Sequence, residues 1–299
     1  MASKQPILGL SLSDKSVQAA EIEQDGNSNT LTAIDEWDNP LLATKEHDNA
    51  AEEKFIEYLS AFVKVNQVRA KKVSVALDTS QLVLNTIPMD ANLSRVEINE
   101  QMNWELGQYH PDTPPRDFIS DIHILRQHPQ ERWNEVLGVS VKRSDSYGIQ
   151  QFMGRLGLDL HILDVDHFSA DNALRINYPD IERKFLALVG IKENRLDISL
   201  VKNGNMESYS YSVVQSNKEI VDHVAALARE TQGIRSITVY GPYLDKDLLV
   251  QIRRASVLLV KALNPLRHVQ VSDSLRLGDH LSVPSYRFAS AIGVALRRE

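Results

Sequence analysis

Residues 8–22, LGLSLSDKSVQAAEI, alternate apolar and polar side chains, break at a short polar turn, and alternate again. Period-two patterning on both sides of a turn predicts a hairpin. After a second turn at Asp25-Gly26-Asn27, a third strand is expected over 31–37. Residues 50–65 then set Phe55, Ile56, Leu59, Phe62 and Val63 at helical spacing, and VSVALD at 73–78 reads as a buried strand. The local order is βββαβ.

A strand at 83–87 closed by Pro88 comes next, with Asn92 or Ser94 as the cap of a helix running to about Gln108, where HPDTPPRD ends it. Strands near 118–126 and 135–142 and an amphipathic helix over 144–156, stopped by Gly157, complete a βαββα stretch with the look of a subdomain. A strand at 161–165, a helix through Ile176 and the junction NYPDIE at 177–182 lead to a second half. There, LALVGIKENRLDISLVKNGNMESYSYSVV at 186–214 repeats strand, polar turn, strand, Gly turn, strand, and a helix at 218–231 and a strand at 237–240 follow. A constant shift of 179 residues pairs Ser11 with Gly190, Leu12 with Ile191, Ser13 with Lys192 and Val17 with Leu196. A duplicated domain explains this more simply than chance. The expected class is mixed α/β, with a first domain from 1–80, 158–180 and a terminal helix at 285–299, an inserted βαββα subdomain at 81–157, and a second domain at 181–284.

Composition narrows the function. The 299 residues suffice for two core-bearing units, and 42% hydrophobic with 24% charged residues is ordinary for a globular chain. The net charge of −7, with basic residues scattered in pairs such as Arg253-Arg254 and Arg297-Arg298, argues against nucleic acid. With no cysteine, disulfides, thiolate metal sites and cysteine nucleophiles are excluded, and a reducing cytoplasm fits best. MASKQPILGL lacks a signal-peptide core and the apolar runs are strand-sized, so any membrane connection is expected to come through a partner. G-x-S-x-G, Walker and H-E-x-x-H motifs do not occur. His161, Asp164, Asp166 and His167 lie close in sequence, but on a strand the two aspartates would face one way and His161 the other, so no metal site is expected.

Four stretches carry a family resemblance. The opening hairpin keeps the spacing of G-[IL]-D-[IL]-G-x-x-[SA]-V-K, and IPMDANLSRVEINEQMNWELGQYHP at 87–111 carries W-E-x-x-x-Y-x-P at Trp104, Glu105, Tyr109 and Pro111. YGIQQFMGRLGLDLHILDVDHFSADNAL at 147–174 has a Gly-Leu turn and an acidic strand end at Asp164 and Asp166, and NPLRHVQVSD followed by YRFASAIGVALRR closes the chain. Together with the duplication, these resemble the actin-like ATPase superfamily, with its actin-like/ribonuclease H-like fold. The likeness is greatest to the PilM branch of type IV pilus assembly, with FtsA more distant. The resemblance implies a cytoplasmic protein, peripheral to the inner membrane, whose inserted subdomain and parent domain hold between them the short cytoplasmic tail of a PilN-like inner-membrane protein. It implies a link from a pilus or secretion platform to its motor ATPase.

In that superfamily, nucleotide phosphates lie between the two hairpin turns. An acid in each turn anchors hydrated magnesium, and a glycine lets backbone N–H groups reach phosphate. Here the first turn offers Ser11 for the acid and Ser13 for the glycine, followed by Asp14, and the second offers Gly190 and Lys192. The adenosine turn aligns with YGPYLDKDL, where only Gly241 remains; Pro242 removes a donor and Tyr243 adds bulk. No cofactor is expected, ATP and magnesium included, and the expected role is a non-enzymatic pseudo-ATPase scaffold. Lys192 could instead replace magnesium as a phosphate binder, but a lysine in KEN on a polar turn reads first as solvated. The alternatives are a working actin-like ATPase or sugar kinase, and a GspL-like type II secretion platform domain. The partner surface is expected on the helix near 93–109: Ile98, Met102, Leu106 and Tyr109 form one stripe, and Trp104 falls about 160° from Leu106, among Glu97, Gln101 and Gln108. Trp104 either meets a partner or packs on a neighbouring layer, and Gln101, Gln108 and Tyr109 accompany it as candidates.

Overall fold

The computed structural model describes residues 5–26, 28–41, 49–276 and 283–298. Asn27 of the expected second turn, residues 1–4 and residue 299 lie outside them. Strand β1 (Gln5–Leu12) pairs antiparallel with β2 (Ser16–Asp25), Leu12 opposite Val17, and β3 (Ser28–Asp38) extends the meander. After α1 (Asn49–Val65), β4 (Lys72–Leu77) returns parallel to β1. In β1 every residue from Ile7 to Leu12 is buried, as a strand covered on both faces requires. Phe55, Leu59 and Phe62 of α1 pack on Leu8, Leu10 and Leu12.

The inserted segment folds as β5 (Val83–Asp90), α2 (Arg95–Tyr109), β6 (Phe118–His128) and β7 (Trp133–Lys142), a three-stranded sheet in the order β5-β7-β6. Pro88 does not close β5; the strand runs on to Asp90, which an edge position tolerates. Of the two candidate caps, Ser94 is used: it accepts from the Glu97 N–H while the Glu97 carboxylate takes the Ser94 N–H. Ile98, Met102 and Leu106 pack on Ile87, Met89, Phe118 and Val136. Tyr109 departs from the expected stripe and is exposed, because α2 ends there and the ring of the next residue, His110, lies 5.6 Å from Phe118. Helix α3 (Arg143–Arg155) falls within 81–157 in sequence, yet it buries Met153 in the first half's core and sets Phe152 edge-on to Phe55 at 5.0 Å.

Strand β8 (Asp159–Val165) joins β4 in parallel and runs directly into α4 (Asp166–Asn177). The second half then repeats the first, with β9 (Phe185–Ile191), β10 (Arg195–Lys202), β11 (Asn205–Val213), α5 (Asn217–Glu230), β12 (Ser236–Tyr240), α6 (Lys246–Ala255) and β13 (Leu259–Ala262). Its sheet runs β11-β10-β9-β12-β13, and Ile191 stands opposite Leu196, the register of Leu12 and Val17 repeated at the same shift. The chain then crosses back. Gln270–Val271, β14, lies in the stretch assigned to the second domain but pairs with β3, so the first sheet reads β14-β3-β2-β1-β4-β8. After the short α7 (Asp273–Arg276), α8 (Ala289–Leu296) packs Ala291, Ile292, Ala295 and Leu296 on Ala20, Ile22, Leu31 and Ile34. Its Gly293 lies so close to α4 that an added Cβ would collide with the Ser169 carbonyl oxygen.

Candidate functional site

The two hairpin turns face each other across the boundary between the halves, with Lys15 of the first paired to Glu193 of the second, at the place where the resemblance to the actin-like superfamily implies a phosphate site. In the first, the Ser13 hydroxyl donates to the Ser16 carbonyl (2.8 Å) and accepts from its N–H, so the group standing at the glycine position closes its own turn. Ser11 is buried and Asp14 exposed. Burial first, then Asp78 beside it, raises the Asp14 carboxyl above its usual value.

The second turn differs most from expectation. Lys192 is not solvated; it is buried, and its ammonium meets Asp166 and Asp197 at 2.8 Å, Asp78 at 3.0 Å and the Thr79 hydroxyl at 2.7 Å. Burial alone would push the ammonium down; Asp166, Asp197 and Asp78 overcome this and hold it above the ordinary lysine value. For Asp197, burial is likewise overridden, by Lys192, His167 and Arg195, and its carboxyl lies below the usual range. Burial lifts the Asp166 carboxyl to about 7 despite Lys192, with Asp78 and Asp197 adding to the rise. Three carboxylates around Lys192 and Arg195 leave one negative charge in excess, which favours a proton on Asp166. The ammonium is therefore already fully engaged by carboxylates, and the phosphate-binding alternative for Lys192 would require breaking that set.

Gly190 stands where the second acid is expected. A Cβ there would lie 2.6 Å from the Tyr240 hydroxyl, so the phenol fills the space a carboxylate would need. That hydroxyl is 2.8 Å from His167 Nδ1, and His167 Nε2 is 3.1 Å from the Ser199 hydroxyl. Gly241 has φ +129°, and any Cβ on it would strike the Ile191 carbonyl oxygen, so its glycine is required by the fold. The remaining hollow, about 330 Å³, is lined by Asp14, Asp38, Asp78, Lys192, Pro242 and Tyr243 among others, with Glu36 paired to Arg287 and Glu193 to Lys15 across its rim. Its acidic lining opposes a polyphosphate.

Asp164 and Asp166 do not share a face, because β8 ends between them and α4 begins at Asp166. Asp166 turns to Lys192, whereas Asp164 accepts from Ser169 (2.9 Å) and Arg297. Among the described residues no group of three or more histidine, cysteine or acidic side chains forms a metal-holding set. Asp78, Asp197 and Tyr240 were not anticipated from sequence. The signal for Asp197 was its alternation with Leu196 and Ile198, which places a carboxylate and Ser199 on one buried face.

A larger cavity of about 800 Å³ opens between the inserted sheet and both halves. Ile119, Ile122 and His123 of β6 form one wall, Val165, Phe168 and Arg175 of β8 and α4 a second, Met206 of β11 a third, and Leu296 and Arg297 close the end. Strand β6 is an edge strand of its sheet. None of Gln101, Trp104, Gln108 and Tyr109 lines this cavity. They lie on α2, whose buried face packs on the inserted sheet, and Trp104, 62% exposed, belongs to none of the hydrophobic clusters among the described residues.

Among solved structures, the fold is similar to that in a PilM-PilN type IV pilus biogenesis complex, with 15% identity over 99% of each chain and a TM-score of 0.78. It is also similar to a Bacteroides thetaiotaomicron protein with an actin-like ATPase fold and unknown function, with 11% identity over 99% of this chain and 97% of that one and a TM-score of 0.58. The fold is thus actin-like. The family model for type IV pilus assembly protein PilM matches residues 9–220, and because that stretch is more than half of the chain, the protein belongs to this family.

Proposed function

We propose that the protein is a non-enzymatic scaffold of a type IV pilus or related secretion platform, working in the cytoplasm, and that its 800 Å³ cleft takes the short tail of a PilN-like inner-membrane protein. The observation that carries this reading is the cleft itself: an edge strand stands beside apolar side chains from three parts of the fold. An extended segment laid along β6 would gain main-chain hydrogen bonds while its alternate side chains enter the hollow near Phe168 and Met206. The similar solved structure is a PilM-PilN complex, which supports a partner of that kind. Among the described residues no helix is long and apolar enough to cross a membrane, so the tail is also the proposed attachment to the inner membrane.

The test is fluorescence anisotropy with labelled N-terminal peptides of the neighbouring inner-membrane protein. Ile119→Arg, at a 41% exposed wall position, is expected to weaken binding by about tenfold or more, a change of roughly 1.4 kcal/mol. Trp104→Ala, outside the cleft, is expected to leave it unchanged. Equal binding by Ile119→Arg, or loss with Trp104→Ala, moves the site elsewhere.

The pseudo-ATPase part of the reading rests on Lys192 and Tyr240 filling the positions a magnesium nucleotide would use. Excess magnesium ATP is expected to leave the melting temperature unchanged, whereas a ligand at about a hundred times its dissociation constant would stabilise by about 2.7 kcal/mol. A saturable rise in Tm would assign the protein to the nucleotide-binding alternative.

A further inference from the structure

The cluster around Lys192 and the wall of the cleft share side chains. Lys192 and Asp197 belong to the second half, Asp78, Thr79 and Asp166 to the first, and Thr79 also donates to Asp197 at 2.8 Å. The other oxygen of Asp197 accepts from Tyr209 at 2.7 Å and from Arg195 at 2.9 Å. The Tyr209 ring stands edge-on to Phe168 with centroids 5.7 Å apart, and Phe168 lines the cleft opposite Met206, a neighbour of Tyr209 on β11. From the other side, Asp166 opens α4, two residues before Phe168. Both cleft walls outside the inserted sheet therefore converge on a single ammonium.

We propose that Lys192 is a positioning residue for the cleft: a permanent internal cation that joins the two halves and so fixes the spacing of Phe168 and Met206, on which tail binding depends. Pre-set walls bind an extended segment without first having to be ordered. Removing the cation takes away the one group that Asp78 and Asp166 of the first half and Asp197 of the second all contact, so the halves lose their shared tether. The affinity part of this inference rests on the tail-binding reading; the joining of the halves does not.

The experiment uses the full chain with Lys192→Ala, and with Thr79→Val as a milder variant that keeps the ammonium but removes the hydroxyl bridging it to Asp197. Amide hydrogen exchange over residues 165–169 and 206–209 is measured without any tail, and peptide affinity separately. Lys192→Ala is expected to speed exchange in both segments and to weaken the peptide, each by about tenfold or more, with Thr79→Val intermediate. Ethylammonium, which can enter the hollow that Lys192 lines, is expected to restore both, whereas tetramethylammonium at equal ionic strength is not. Unchanged exchange in a folded Lys192→Ala overturns the proposal, and so does equal recovery with both cations. If Lys192→Ala does not fold, native-like exchange in Thr79→Val overturns it instead. If the wild-type chain binds no tail, the cleft reading fails and the exchange experiment still decides the role of Lys192.

Discussion

Replacing Gly293 by alanine is expected to destabilise the protein by about 3 kcal/mol or more, because the new methyl has nowhere to go. At this position α8 rests on α4 so closely that a Cβ would sit inside the Ser169 carbonyl oxygen and 3.2 Å from the Ala173 Cβ. Both obstacles belong to helix backbone or to a side chain with no rotamers, so relief requires moving one helix against the other. That movement would break the bond from Asn172 to the Gly293 carbonyl (2.8 Å) and loosen α8 from the sheet under it. At about 2–4 °C per kcal/mol for a cooperative unit of 150–250 residues, the melting temperature should fall by about 6 °C or more. Gly148→Ala in α3, with nothing within 4 Å and an ordinary φ, is the control. It should be neutral or stabilising by about 0.5–1 kcal/mol. Equal melting temperatures for the two variants would mean that the helices can separate freely at this point.

The second large effect depends on pH and on His167. Its ring is buried among Phe168, Tyr209 and Tyr240, and burial lowers its pKa from 6.5 to about 4. In the unfolded chain the imidazole takes a proton near 6.5; in the folded protein it refuses one until about 4. Stability from this residue is thus complete above about 6.5 and is lost as the pH falls toward 4, amounting to about 3 kcal/mol at 1.36 kcal/mol per unit. Asp166 works the other way over the same interval. Its carboxyl is protonated below about 7 in the folded protein but only below 3.8 in its ordinary state, so acidification through that window favours the fold. The two contributions oppose, and the informative quantity is a difference. Wild type minus His167→Gln, from urea denaturation, should lose about 3 kcal/mol between pH 7 and pH 4. Wild type minus Asp166→Asn should change in the opposite direction. A flat difference for His167→Gln would show that the ring is protonated or solvated in the native protein.

The duplicated architecture was legible in sequence because its information is local. Period-two alternation, polar turns and the shift that carries Leu12 onto Ile191 all lie within short windows, and the observed register reproduces the shift. The solvated reading of Lys192 failed for the opposite reason. The acids that bury it come from positions 78, 166 and 197, after one strand, at the start of a helix and within another strand, and no window contains them all. Similarly, Asp164 and Asp166 looked like one face because strand alternation was carried one residue past the expected strand end at Val165; the junction with α4 at Asp166 turns them apart. Trp104 was visible as an outlier on a polar helix face, but the cleft is built by β6, β8, α4 and β11, and its nearest sequence signal was the plain apolar alternation of β6. The return of β14 to β3 rests on two residues, too few to carry any pattern.

The contact between β1 and α8 also sets an order of events during synthesis. Gly9 packs under the backbone of Ala291, so the earliest strand made has one face that is covered at Gly9 by α8, residues 289–296. At about 5–20 residues per second, the nascent chain carries that uncovered sheet face for on the order of tens of seconds. During that time the ribosome-bound intermediate presents a sticky surface, and a chaperone able to shield a β-sheet is the factor on which its yield would depend.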